Sequence, residues 1–105
     1  MPDKTRREKL LEMLALEPND AFLRYGLAME YVSAGQDEEA ARCFRELVDA
    51  TPDYVPAYLQ AGQALIRLAR NDEAKEMLSR GSEIARRQGD LHAYEEMQGF
   101  LAGLG

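Results

Sequence analysis

Most of the chain consists of stretches in which apolar residues recur every three or four positions, a spacing that predicts amphipathic helices. In the stretch from about 38 to 50, apolar side chains form one stripe and charged side chains take the opposite side. One face of that helix should therefore lie in water. The stretch that begins near Asn71 repeats this design. The two stripes consist of Ala40, Cys43, Phe44, Leu47 and Val48, and of Ala74, Met77, Leu78, Gly81 and Ala85.

Two other stretches are apolar on nearly every side, which predicts helices that their neighbours cover from several directions. They run from about 22 to 32 and from about 55 to 68. A last stretch returns to a single stripe with polar residues opposite, as expected of a helix at the end of a stack. Its stripe contains Tyr94, Met97, Leu101 and Leu104.

Turn-forming and capping residues divide the chain into six predicted helices. Each connection is short, which favours antiparallel packing of successive helices. Serine, threonine, aspartate and asparagine favour helix starts, whereas glycine favours helix ends. The residues expected to cap or end helices are Thr5, Asp20, Gly35, Asp37, Asn71, Gly89 and Asp90.

A period of 34 residues relates the middle of the chain to its second half. The segment Asp37-Glu38-Glu39-Ala40 matches Asn71-Asp72-Glu73-Ala74. A large apolar side chain stands four positions after each alanine, at Phe44 and at Leu78. A repeat of this length is typical of stacked supersecondary units that cannot bury their apolar faces alone. The pattern therefore favours a binding surface over an enzyme.

The repeat resembles the tetratricopeptide repeat (TPR), a helix–turn–helix unit with the pattern W-x2-L-G-x2-Y, then A-x3-F, then P. The first copy reads Arg24-x2-Leu27-Ala28-x2-Tyr31, then Ala40-x3-Phe44, then Pro52. The second copy reads Tyr58-x2-Ala61-Gly62-x2-Leu65, then Ala74-x3-Leu78, with Arg86 where the proline is expected. Without that proline, the fifth helix can continue to Gln88.

The resemblance implies an all-α fold, a right-handed α-solenoid of antiparallel helix hairpins, in a small stand-alone protein of bacterial type. Residues 1–105 would form a single TPR-like domain of about six helices. Its units would be an N-terminal half repeat (3–17), two full repeats (21–54 and 55–88) and a C-terminal capping helix (90–104).

In this family the first helix of each repeat lines a concave surface that binds peptides, so the resemblance implies a protein-interaction module. The implied groove consists of Phe22, Tyr25, Met29, Val32, Leu59, Gln63, Ile66, Met97 and Phe100. The same side chains could be core, because a helix that is apolar on every side favours both interpretations. Some family members clamp acidic chaperone tails with polar and cationic groups. Here Tyr25, Met29 and Leu59 take those places, so we expect no such clamp.

The composition narrows the choice of partners. A net charge of −6 argues against nucleic acid and anionic membranes, since both favour a basic surface. The single cysteine, Cys43, excludes an internal disulfide and fits a reducing, cytoplasmic setting. The single histidine, His92, supplies no metal site, and no titratable residues converge in the pattern. We therefore expect no cofactor, no metal and no catalysis.

The first helix suggests an alternative function, a structural homo-oligomer. It resembles the second helix of a repeat whose first helix is missing, and it carries more apolar residues than one neighbour would cover. These residues are Leu10, Leu11, Met13, Leu14 and Leu16. Another copy of the chain could supply the missing neighbour in a two-fold dimer.

Overall fold

Helices account for nearly all of the fold. The computed structural model describes residues 4–105, and within this range the chain forms six α-helices and no β-strand. They are α1 (Arg6–Leu16), α2 (Ala21–Ser33), α3 (Asp37–Ala50), α4 (Val55–Arg67), α5 (Asn71–Gln88) and α6 (Leu91–Leu104). The all-α prediction is confirmed, and the predicted start of the first helix at residue 3 lies outside the described residues.

The helices form an elongated stack in which each one packs against the next in sequence. The helices α4 and α6 also contact each other, across α5 in the chain order. The stack measures 50 × 28 × 20 Å, with a radius of gyration of 14.2 Å. A compact domain of this length would have a radius of gyration of about 13 Å. The arrangement is therefore open rather than a closed bundle, while the division into units at 21–54 and 55–88 stays a prediction.

Three of the predicted helix caps are present, and two are absent. The hydroxyl of Thr5 accepts a hydrogen bond from the Glu8 amide at 3.1 Å. Asp20 and Asp90 cap α2 and α6 in the same way. The predictions for Asp37 and Asn71 are wrong, because α3 and α5 begin at these residues and neither helix has a side-chain cap. The carboxylate of Asp37 instead pairs with Arg67 of the next repeat, at 2.9 Å.

Matching tight turns connect α2 to α3 and α4 to α5. In each turn the amide of the third residue donates to a carbonyl of the last helical turn, Gln36 to Tyr31 and Arg70 to Leu65. The residue before that amide is left-handed in both turns, and here the repeats differ. Gly35 has φ +73°, whereas the residue 34 positions later is Ala69, with φ +59°. A Cβ atom makes this conformation unfavourable, so Ala69 carries strain that Gly35 does not.

Replacing Ala69 with glycine should raise the free energy of unfolding by roughly 0.5–1 kcal/mol, because relief of strain outweighs the greater freedom of glycine in the unfolded chain. The matched change Gly35→Ala should lower it by a similar amount, roughly 0.5–1 kcal/mol, because the same two effects act in the opposite direction. Urea unfolding followed by circular dichroism measures both. A lower stability for Ala69→Gly would show that the two turns are not equivalent.

Small residues allow the helices to approach closely at two points in the core. A Cβ atom on Gly62 would lie 2.4 Å from Cδ2 of Leu78, so α4 and α5 touch there. A Cβ atom on Gly81 would lie 2.3 Å from Cβ of Tyr58 and 2.8 Å from Sδ of Met97. Gly81 is therefore the point at which α4, α5 and α6 meet.

The fifth helix is longer than its counterpart in the first repeat, and its extra length displaces the start of α6. It has 18 residues against 14 in α3, and it ends at Gln88 before Gly89 in the left-handed conformation. The predicted extension past Arg86 is confirmed. As a result, α6 starts 36 residues after α4, whereas α4 starts 34 residues after α2. The last helix is thus two residues out of register with the repeat.

Candidate functional site

The helices α2, α4 and α6 each have a partly or fully exposed side at matching helix positions, and we call this side the inner face. Counted from the first residue of each helix, it contains positions two, five, nine and twelve. In α2 and α4 all eight side chains are at least partly exposed, and seven of them are apolar. They are Phe22, Tyr25, Met29 and Val32 of α2, and Pro56, Leu59, Gln63 and Ile66 of α4.

The α2 part of the inner face contains one aromatic ring that is exposed to water and one that packs on other aromatic rings. Phe22 is 73% exposed. The Tyr25 ring packs in tilted geometry on the rings of Phe44 and Tyr54, with centroids 5.9 and 5.5 Å away. Burial, together with Tyr54, raises the pKa of Tyr25, although a hydrogen bond with Gln60 opposes the shift, so the phenol stays neutral. Tyr25 therefore contributes both to the core and to the surface. The two interpretations that the sequence left open, core and groove, both apply to this residue.

Neither of the predicted groove residues of α6 lies on the inner face. Met97 is 0% exposed and lies against Gly81 in the core, so it cannot line an accessible surface. Phe100 is 37% exposed and sits at the edge of the buried side. Met97 and Phe100 are the residues reached when the 34-residue period is added twice to the positions of Met29 and Val32. The actual offset is two residues greater, which rotates the expected positions by about 200° around the helix.

The inner face of α6 is formed by residues that the strict period misses. Positions two, five, nine and twelve are His92, Glu95, Gly99 and Ala102, and all four are exposed. Nε2 of His92 lies 2.8 Å from Oε1 of Glu96. This part of the surface is polar or small, unlike the apolar parts on α2 and α4. The sequence signal that could have located it is Arg86, which stands where a proline would have ended α5 earlier.

A second exposed apolar surface lies at the start of the stack. Met13 and Leu16 of α1 are 43% and 85% exposed. With Leu23 of α2 they line a cavity of about 330 Å³, and we call these three residues the open end. The residues 34 positions after Met13 and Leu23 are Leu47 and Ala57, which are both completely buried. Ala50, the counterpart of Leu16, is itself exposed, so only Met13 and Leu23 owe their exposure to the lack of a helix before α1 in the described residues.

Residues 4–105 contain no group of three or more His, Cys, Asp or Glu side chains that could hold a metal ion. Burial is the main cause that raises the pKa of Cys43, and nearby Glu46 adds to it, so the thiol is protonated and a weak nucleophile. Among these residues, no helix is long and apolar enough to cross a membrane.

Comparison with known proteins identifies the fold. A family model for the tetratricopeptide repeat matches residues 38–95, which is more than half of the chain. A TPR repeat-containing protein of Pseudomonas aeruginosa is 35% identical over 99 residues, which make up 92% of each chain. The chain belongs to the tetratricopeptide repeat family.

Two solved structures are similar to most of this chain. The crystal structure of a tetratricopeptide repeat domain protein from Salinibacter ruber has a TM-score of 0.76 and 35% identity, covering 81% of this chain and 94% of the other. The solution structure of a Bordetella parapertussis protein has a TM-score of 0.83 and 27% identity, covering 97% and 89%. The TPR-like solenoid expected from the sequence is therefore confirmed.

Two substitutions in α6 test the shifted register. Met97→Ala should lower the free energy of unfolding by about 2–5 kcal/mol, because it leaves a cavity beside Gly81. Gly99→Ala should raise it by roughly 0.5–1 kcal/mol, since a Cβ there meets no atom within 4 Å and alanine favours a helix. Thermal and urea unfolding measure both changes. Destabilisation by Gly99→Ala would place that residue in the core and contradict the shift.

Proposed function

We propose that this TPR protein binds a polypeptide segment of another protein along the apolar part of the inner face. The TPR fold in general supports a protein-interaction module. The observation that carries the specific proposal is the exposure of Phe22 beside Tyr25, which rests on the core at Phe44. A large aromatic side chain left in water on a rigid base suits an anchor for an apolar partner.

The second half of this surface supports the same function. The side chains of Leu59 and Ile66 are only partly buried, and Gln63 between them can hydrogen-bond to a peptide backbone. Methionine and aromatic residues adapt well to varied apolar partners, and α2 contributes Met29 next to its aromatics. Together these properties fit one bound segment that crosses α2 and α4.

The absence of catalysis, the excluded classes of partner and the location complete the proposed function. We infer that it works by binding, without catalysis and without a cofactor. Its net charge of −6 disfavours nucleic acid and anionic membrane surfaces as partners. The single unpaired thiol of Cys43 fits a cytoplasmic location.

Peptide binding should depend on Phe22. We expect short peptides selected from a random displayed library to bind the wild-type protein, with affinities measured by fluorescence anisotropy. Phe22→Asp should weaken their binding by about tenfold or more, and its charge in the first turn of α2 should not harm the helix. Leu16→Asp is the matched control, because it places the same charge on an exposed apolar residue away from the inner face.

The comparison between the two aspartate variants decides whether the inner face is the site. Unchanged affinity in Phe22→Asp, or an equal loss in Leu16→Asp, would contradict binding at this surface. Circular dichroism spectra of both variants should match the wild-type spectrum, because neither side chain is part of the core.

A second candidate function is self-association through the open end, favoured by the exposure of Met13 and Leu16. The counterparts of Met13 and Leu23 in the next repeat, Leu47 and Ala57, are buried, so this part of the open end has the form of an unfinished helix interface. A second copy of the chain would cover it if the two α1 helices packed together around a two-fold axis.

Self-association should be sensitive to Leu16. If the open end forms a dimer, sedimentation velocity will show a larger species as protein concentration rises, and Leu16→Asp will remain monomeric over the same range. Phe22→Asp should associate like the wild type. A wild-type protein that sediments as a monomer at every concentration removes this second candidate.

A further inference from the structure

The chemistry of the inner face changes from one end to the other. Position five of the three helices is Tyr25 in α2, Leu59 in α4 and Glu95 in α6. Position nine changes in parallel, from Met29 through Gln63 to Gly99. A segment that crosses all three helices would therefore meet apolar groups first and a carboxylate last, with no large apolar side chain at these positions in α6.

In the described part of the chain, no arginine or lysine forms an ion pair with the two carboxylates at the α6 end of the inner face, Glu95 and Glu96. In the part of the chain that the structure describes, Glu95 makes no ion pair, while the adjacent Glu96 is paired only with His92. Arg67, at the end of α4, is already paired with Asp37 at 2.9 Å. The nearest basic residues in sequence, Arg86 and Arg87, pair with a glutamate of their own helix. Carboxylates in this setting favour a cationic partner.

We propose that the bound segment, if the function proposed above is correct, has apolar side chains over α2 and α4 followed by a lysine or arginine over Glu95 and Glu96. The two-residue register shift is what supports this. In strict register, Met97 and Phe100 would extend the apolar surface onto α6 and favour a segment that is apolar throughout. The shift buries Met97 and gives Glu95 the helix position that Tyr25 and Leu59 have in α2 and α4.

The same charges disfavour the opposite partner. An acidic segment would bring its carboxylates towards Glu95 and Glu96 without a free cation on the described part of α6 to receive them. Each exposed pair contributes little alone, so the basic residue should improve affinity by about 3–10-fold rather than determine binding entirely. That contribution should weaken as salt concentration increases, whereas the apolar contribution should not.

The experiment uses a displayed library of short random peptides, selected in parallel on three forms of the full chain. The first form is wild type, and the second is Glu95→Gln/Glu96→Gln. The third is the control Asp72→Asn/Glu76→Gln, which removes two exposed acidic charges from α5 and matches the second form in net charge. We expect wild type and control to select apolar peptides with lysine or arginine enriched at one end. The Glu95/Glu96 variant should select apolar peptides without that enrichment.

Affinities of one selected peptide complete the test. Replacement of its basic residue by norleucine should weaken binding to wild type about 3–10-fold and leave binding to the Glu95/Glu96 variant nearly unchanged. Selection of apolar peptides with no basic preference overturns this inference while the proposed function stands. Equal loss of the preference in the control assigns it to net charge and also overturns the inference. Failure to select any peptide on wild type removes the proposed function itself.

Discussion

The close contact between paired helices at small residues is the constraint on which the rest of this structure depends. At Gly62 the side chain of Leu78 fills the space that a Cβ would need, and at Gly81 the ring-bearing carbon of Tyr58 does the same. Because these helices pack in direct contact, they bury their apolar stripes without long side chains between the two backbones. The hairpins can then stack side by side, and one side of α2 and of α4 remains partly exposed.

Stacking also explains why the two exposed apolar surfaces differ in origin. The inner face is at least partly exposed on both α2 and α4, so it follows from the regular stacking of the helices. At the open end, Met13 and Leu23 are exposed or half-buried, whereas the residues 34 positions later, Leu47 and Ala57, are completely buried. The first surface therefore recurs along the stack, whereas the second is confined to the side of α1 that no other described helix covers.

Sequence reasoning predicts most of the fold, because the 34-residue period, the small residues and the apolar stripes all point to one architecture. It fails at helix starts where a side chain has more than one possible hydrogen-bond partner. The side chain of Asp37 is as suitable for a helix cap as that of Asp20. However, α3 begins at Asp37 itself, one residue earlier than a cap at this position requires, and the carboxylate pairs with Arg67 instead. For the site, the positions on α2 and α4 follow from the period. Those on α6 do not, because adding a constant number ignores where α5 ends.

The extra length of α5 has a consequence for how related proteins could diverge. The side of α6 that faces the stack is selected by the helix's own apolar stripe, which holds Met97 against Gly81. A change of turn length near Gly89 therefore moves this stripe along the chain and leaves it buried. An alignment of short solenoids on a fixed period would then assign the wrong α6 side chains to the surface offered to a ligand.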